Sequence, residues 1–159
     1  MTLTIEPAGS ADAPLLARLN REIQQVHATL EPSFFRSDTD DEEVAAFFAA
    51  KLALPENWFR FAVLDGRPCG YVWFEVQDRP QTPLTRPRKR LYIPHLSVEA
   101  DSRGRGVGSA LMARVEAEAA VAGIVAIALD SWAANGPARA FYAGRGYRPF
   151  NITLGKRLS

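Results

Sequence analysis

Residues 95–108 read HLSVEADSRGRGVG: an apolar run ending at Val98, a short polar link, and then Arg103-Gly104-Arg105-Gly106-Val107-Gly108. Beyond it Leu111, Val115 and Ala119 recur at one-turn spacing, so the stretch reads as a strand, a tight loop and a helix. Glycines let the loop backbone turn left-handed and let another molecule approach its amides. The first amides of a helix have no partner within it, and its dipole adds positive charge there, so this turn is built to receive an anion such as a phosphate. Arg103 and Arg105 stand beside it. The same turn could do no more than cap a helix, so other parts of the chain must decide.

Two nucleotide loops are excluded. A P-loop needs GxxxxGK followed by Ser or Thr, and there is no lysine near this turn; a dinucleotide fingerprint needs GxGxxG, whereas Gly104, Gly106 and Gly108 give GxGxG. The chain has 159 residues and a net charge of +1. That size suits one compact domain over residues 1–159, and the near-neutral balance gives no reason to expect nucleic acid or an anionic membrane as a partner. The N-terminus lacks a signal-peptide pattern, and no apolar run reaches the roughly 18 residues of a membrane span, so a cytoplasmic location is expected. Cys69 is the only cysteine and reads as a small buried hydrophobe. No metal site is expected.

Residues 2–6 alternate as a short strand. Ser10 or Asp12 can cap a helix with a stripe of Leu15, Leu19, Ile23, Val26 and Leu30. His27, beside that stripe, reads as a partly buried structural histidine. A loop with Phe34 and Phe35 follows; these rings could be core or could line a pocket. Thr39-x-x-Glu42 is a capping box for a second helix that ends near Pro55. Residues 58–64 and 69–76 are rich in aromatic and β-branched side chains, and Asp65-Gly66 between them signals a hairpin. Residues 78–90, DRPQTPLTRPRKR, are proline-rich and basic and read as a surface loop; Arg86, Arg88, Lys89 and Arg90 could meet cofactor, acceptor or solvent. Leu91 to Val98 forms the central strand, with Pro94 requiring a bulge or an unpaired side. Gly123 ends the helix after the loop, Ile124 to Leu129 forms a fifth strand, and Asn135 with Pro137 starts a last helix. Tyr147 to Leu158 is expected to close the sheet with one or two strands.

Arg103-x-x-Gly106-x-Gly108 resembles the pyrophosphate loop of the GCN5-related N-acetyltransferase (GNAT) superfamily. Asn135, followed by Phe141-Tyr142 and Gly146-Tyr147, resembles that family's second motif. The resemblance implies an α/β fold: a central mixed, mostly antiparallel sheet of six to seven strands, splayed between strands 4 and 5 and flanked by about four helices. It implies acetyl-CoA as cosubstrate, held by Leu96 and Val98 on the splayed strand, by the loop residues Arg103, Gly104, Arg105, Gly106, Val107, Gly108 and Ser109, and by Asn135 and Tyr142. It further implies that the Val98 amide faces the thioester carbonyl and that Tyr142 protonates the departing thiolate. Acetyl transfer requires a neutral amine, so a base must take a proton from an ammonium. Asp130 corresponds in spacing to an acidic residue of relatives that acetylate ribosomal-protein N-termini; Glu99, Glu75 and His95 are further candidates. Histone-acetylating relatives carry a glutamate where this chain has Tyr92, which argues against that substrate.

The expected activity is N-acetyl transfer to a primary amine of a small molecule or protein. The alternatives are a non-catalytic acyl-CoA-binding regulator and an interaction module that uses the basic loop. A homodimer is compatible with the sequence.

Overall fold

A computed structural model describes residues 1–159. Its five strands are β1 (Leu3–Pro7), β2 (Asn57–Leu64), β3 (Arg67–Arg79), β4 (Arg88–Val98) and β5 (Ile127–Leu129). Its four helices are α1 (Ala13–Leu30), α2 (Asp41–Leu52), α3 (Val107–Val121) and α4 (Gly136–Gly144). The strands form one mixed sheet in sequence order, antiparallel except for the parallel pair β4–β5.

Each face of the sheet carries its own core. On one side α3 buries Val107, Leu111, Met112 and Val115 against Ala62, Val72, Phe74, Leu91 and Ile93. On the other, α1 and α2 bring Leu16, Leu19 and Phe48 onto Phe59, Phe61, Tyr71 and Trp73. Strand side chains alternate between faces, so residues 72 and 74 of β3 meet α3 while residues 71 and 73 meet α1 and α2.

In β4 that alternation is inverted midway. Trp73 stands opposite His95 but Glu75 stands opposite Tyr92, so Ile93 and Pro94 together face the single residue Phe74. This is a β-bulge at Pro94, as expected of a residue with no ladder donor. Leu91 and Ile93 before the bulge and Leu96 and Val98 after it all lie on the α3 face. His95 and Ser97 consequently turn to the opposite face, where the Ser97 hydroxyl donates to Leu19 O at 3.0 Å.

The Asp65-Gly66 turn is a tight hairpin with both residues at positive φ, +50° and +83°. Several boundaries differ from expectation. The buried stripe of α1 runs through Ala13, Leu16, Leu19, Asn20 and Ala28, because the helix leans on the sheet with the side of Leu16 rather than of Leu15. The α2 cap is Asp40, whose carboxylate accepts from Glu43 N at 2.9 Å; the expected box at Thr39 is one residue early. Pairing of Asp78 with Lys89 and Arg79 with Arg88 extends β3 and β4 into the basic segment, leaving the prolines confined to residues 80–87. The fifth strand is only Ile127–Leu129.

The sheet has five strands, not six to seven, since no strand follows α4. Phe150, Ile152 and Leu154 alternate as strand residues would, yet all three are exposed. A three-residue β5 offers a following strand too few free ladder groups to fix its register.

Candidate active site

β4 and β5 stay together only where Leu91–Ile93 face Ile127–Leu129. After the bulge β4 continues on β3 alone, and the side that would face β5 is open. The Glu99 amide donates to Cys69 O at 2.8 Å on β3, so by strand alternation the Val98 N–H and C=O, one residue earlier, point to the open side. The Val98 carbonyl there accepts from Arg103 Nε at 3.0 Å. Opposite Val98 stands Gly70. A Cβ at Gly70 would come within 2.6 Å of Ser97 O, so only glycine allows the strands to approach this closely behind Val98.

The glycine loop follows. Gly104 and Gly106 have φ of +72° and +81°, a region that L side chains enter at a cost of about 1–2 kcal/mol. Gly106 is the residue before α3, and no side chain caps the helix start. Apart from chain neighbours, nothing lies within 4 Å of where a Cβ would be at Gly104 or Gly106, so the loop is open on that side, and the helix amides that no side chain caps are groups that fit an anion. Gly108 serves packing: its Cβ would stand 3.4 Å from the Phe141 ring of α4. The loop arginines have partners of their own. Arg103 also pairs with Glu22 at 3.3 Å and Arg105 with Asp65 at 3.7 Å.

The opening between β4 and β5 is a cavity of about 340 Å³. Leu96, Asp130, Asn135 and Tyr142 line it, as do Phe34, Phe35, His27 and His95. Asn135 starts α4 and uses Oδ1 to accept from Ala138 N at 3.2 Å. Tyr142 packs between Phe141 and Tyr147, ring centroids 5.3 and 5.9 Å away, and burial raises its phenol to about pKa 12. It therefore stays protonated throughout the neutral range. Asp130, just past β5, accepts a hydrogen bond from the Tyr92 hydroxyl. That bond and burial push the Tyr92 phenol well above its usual range, burial contributing most.

Glu99 is not brought to the cavity. Its carboxylate is held by Arg18 at 2.6 Å and by Arg67 at 2.7 Å, a clamp tying α1 and β3 to the end of β4. Glu75 accepts from Gln77 on its own strand and does not line the cavity either.

His95 is set by its neighbours. The Tyr71 hydroxyl donates to Asn20 Oδ1 at 3.0 Å and lies 2.9 Å from His95 Nδ1. A phenol has one hydrogen, so Nδ1 must carry the proton that it shares with Tyr71, and Nε2 keeps the lone pair. Burial, with a smaller contribution from nearby His27, lowers His95 to about pKa 4. Because the folded value lies below the unfolded reference of 6.5, the unfolded chain binds the extra proton first. Stability is therefore complete above pH 6.5 and declines as pH falls from there to about 4, by about 3 kcal/mol for this one group. Chemical denaturation at stepped pH should give a shallower decline for His95→Gln than for the natural chain; equal slopes would remove His95 as the source.

Sequence reasoning missed four contributors. In the sequence Tyr92 signals only the absence of a glutamate, and the Tyr71–Asn20 pair joins residues far apart in the chain. Gly70 carries no positive φ to betray its role. Trp132 is a large ring in the polar link after the fifth strand, and that contrast with its neighbours was the available signal.

The profile of the acetyltransferase (GNAT) family matches residues 23–147. The chain belongs to that family, whose members are acetyltransferases using acetyl-CoA as cosubstrate. In fold it is similar to a variant of the BH1408 protein of Bacillus halodurans, with a TM-score of 0.88 at 24% identity over 98% of this chain and 99% of that one. It is also similar to a predicted acetyltransferase of Clostridium acetobutylicum solved with acetyl-CoA, with a TM-score of 0.73 at 22% identity over 98% and 96% of the two chains. Aminoglycoside N-acetyltransferase AAC(6')-Iy, solved with CoA, gives a TM-score of 0.74 at 16% identity over 99% and 95%. No curated protein sequence matches. No helix is long and apolar enough to cross a membrane.

Proposed function

We propose that the chain, acting as a single domain over residues 1–159, is an N-acetyltransferase that moves the acetyl group of acetyl-CoA directly to a primary amine. The observation that carries this reading is the convergence of Asp130 and Tyr142, from opposite sides of the β5–α4 link, on one cavity with Leu96 of the splayed strand. One of these groups accepts protons and the other holds one at neutral pH, which is the pair that acyl transfer to an ammonium requires.

When bound, acetyl-CoA supplies an acetyl group activated as a thioester. The uncapped start of α3, with Gly104 to Ser109, is suited to hold its pyrophosphate, and the outward N–H groups of Leu96 and Val98 are suited to its pantetheine arm and carbonyl. Asp130, fixed by the Tyr92 hydroxyl, attracts the acceptor ammonium and takes its proton. Tyr142 gives up a proton on the leaving-group side. Asn135 spends one oxygen on capping α4, leaving its side-chain N–H groups for the pantetheine.

Calorimetric titration with acetyl-CoA, followed by thiol release over a panel of amines, tests the reading. Saturable binding with release is expected, and Asp130→Asn should cut kcat by about 100-fold or more while leaving acetyl-CoA affinity unchanged. Binding without release on any amine would instead make the protein an acyl-CoA-binding regulator.

A further inference from the structure

The cavity wall beyond Asp130 is built of rings. Phe34 and Phe35 come from the loop between α1 and α2, His27 from α1 and Trp132 from the link after β5. The Phe34–Trp132 centroids are 5.0 Å apart, those of Phe35–Trp132 5.2 Å, and His27 stacks on Phe35 at 4.7 Å. Three separate segments thus converge in one aromatic cluster at the edge of the cavity. It is not sealed core, because Phe34 remains 71% exposed.

Charge is as sparse as aromatic surface is abundant. Asp130 is the only carboxylate among the lining residues, and there is no lysine or arginine among them. His27 and His95 add no charge near neutral pH, since burial lowers both. A ligand with one ammonium can set it on Asp130, with ring faces nearby to favour the cation. A ligand with several ammonium groups would find one carboxylate for all of them, since the remaining lining residues, Asn20, Gln24, Ser131 and Asn135 included, carry no negative charge, and leaving the other ammonium groups without a countercharge is costly.

We propose, building on the acetyl-transfer reading above, that the acceptor is a monoamine with an aromatic body on a short aliphatic arm, its ammonium on Asp130 and its ring against Phe34, Phe35 and Trp132. Polyamines and aminoglycosides are excluded by the same surface. A flat apolar body uses the offset and edge-on contacts that such a cluster offers.

The test compares 2-phenylethylamine and tryptamine with n-butylamine, spermidine and kanamycin. Thiol release is measured at saturating acetyl-CoA, and calorimetric binding of the same amines is measured to the CoA-loaded protein. The aryl amines should exceed spermidine and kanamycin at least about tenfold in kcat/KM and in affinity. Trp132→Ala should raise KM for 2-phenylethylamine about tenfold and that for n-butylamine far less, with the KM for acetyl-CoA unchanged; Phe34→Ala, at an exposed position, should do the same if the first variant folds poorly. Preference for spermidine or kanamycin, or equal losses on ringed and ringless amines, would overturn the aryl-amine inference and leave acetyl transfer standing. Selective binding of aryl amines without thiol release would uphold the inference and sink the transfer reading, whereas neither binding nor release would overturn both.

Discussion

Gly106→Glu is expected to abolish acetyl-CoA binding, with Gly106→Ala as its control. At φ +81° both substitutions carry the same backbone strain of about 1–2 kcal/mol, so the pair isolates what the carboxylate adds. Apart from its chain neighbours, no atom lies within 4 Å of the added Cβ, so the new side chain has room, and at the residue before α3 its carboxylate is expected beside the first amides of the helix. A carboxylate about 5 Å from a phosphate charge, at an effective dielectric of about 20, is repelled by about 3 kcal/mol, or a weakening of about 100-fold or more. It would also compete for the same helix amides. Calorimetric titration of the two variants should therefore show measurable binding for Ala and none for Glu. Equal affinities would mean that the glycine loop is only a helix start.

What was legible in the sequence is what short-range chemistry determines. The loop from Arg103 to Gly108, the Asn135 cap, the Asp65-Gly66 hairpin and the break at Pro94 each follow from one residue type in one local backbone state. Even the bulge carried more than it declared, since by inverting the alternation of β4 it turns His95 toward Tyr71 and leaves Val98 facing the opening. The losses came where distant segments decide. Glu99, adjacent to the loop in sequence, is captured by Arg18 and Arg67, and no local pattern signals a clamp from two other elements. Phe34 and Phe35 read from the sequence as core before pocket, and only the approach of Trp132 from a distant segment puts them at the cavity. The final strands failed for the converse reason: residues 150–154 alternate correctly, but a strand needs an edge to join, and β5 provides only three residues. Nearest-neighbour misplacements, Thr39 for Asp40 and Leu15 for Leu16, arise because competing caps and helix faces are separated by less than one interaction's worth of energy.

Tyr142→Phe should lower turnover about 100-fold or more while leaving acetyl-CoA affinity within about twofold, since RT at 25 °C makes twofold only about 0.4 kcal/mol. The substitution removes one oxygen and keeps the ring, so the contacts of Tyr142 with Phe141 and Tyr147 and the shape of α4 are retained. No protein group is hydrogen-bonded to the Tyr142 hydroxyl, and that oxygen is not a sealed, unpartnered atom; on the cavity wall, its proton is free for a ligand. Burial that holds this phenol near pKa 12 makes it a reliable proton carrier at neutral pH but a reluctant donor until negative charge develops next to it. In the proposed mechanism a departing thiolate supplies that charge, so the benefit of the hydroxyl is expected late in the reaction, in kcat rather than in binding. Thermal denaturation of the variant should match the natural chain, separating loss of a proton donor from loss of packing. Unchanged turnover would take Tyr142 out of the chemistry and leave the leaving-group proton to solvent.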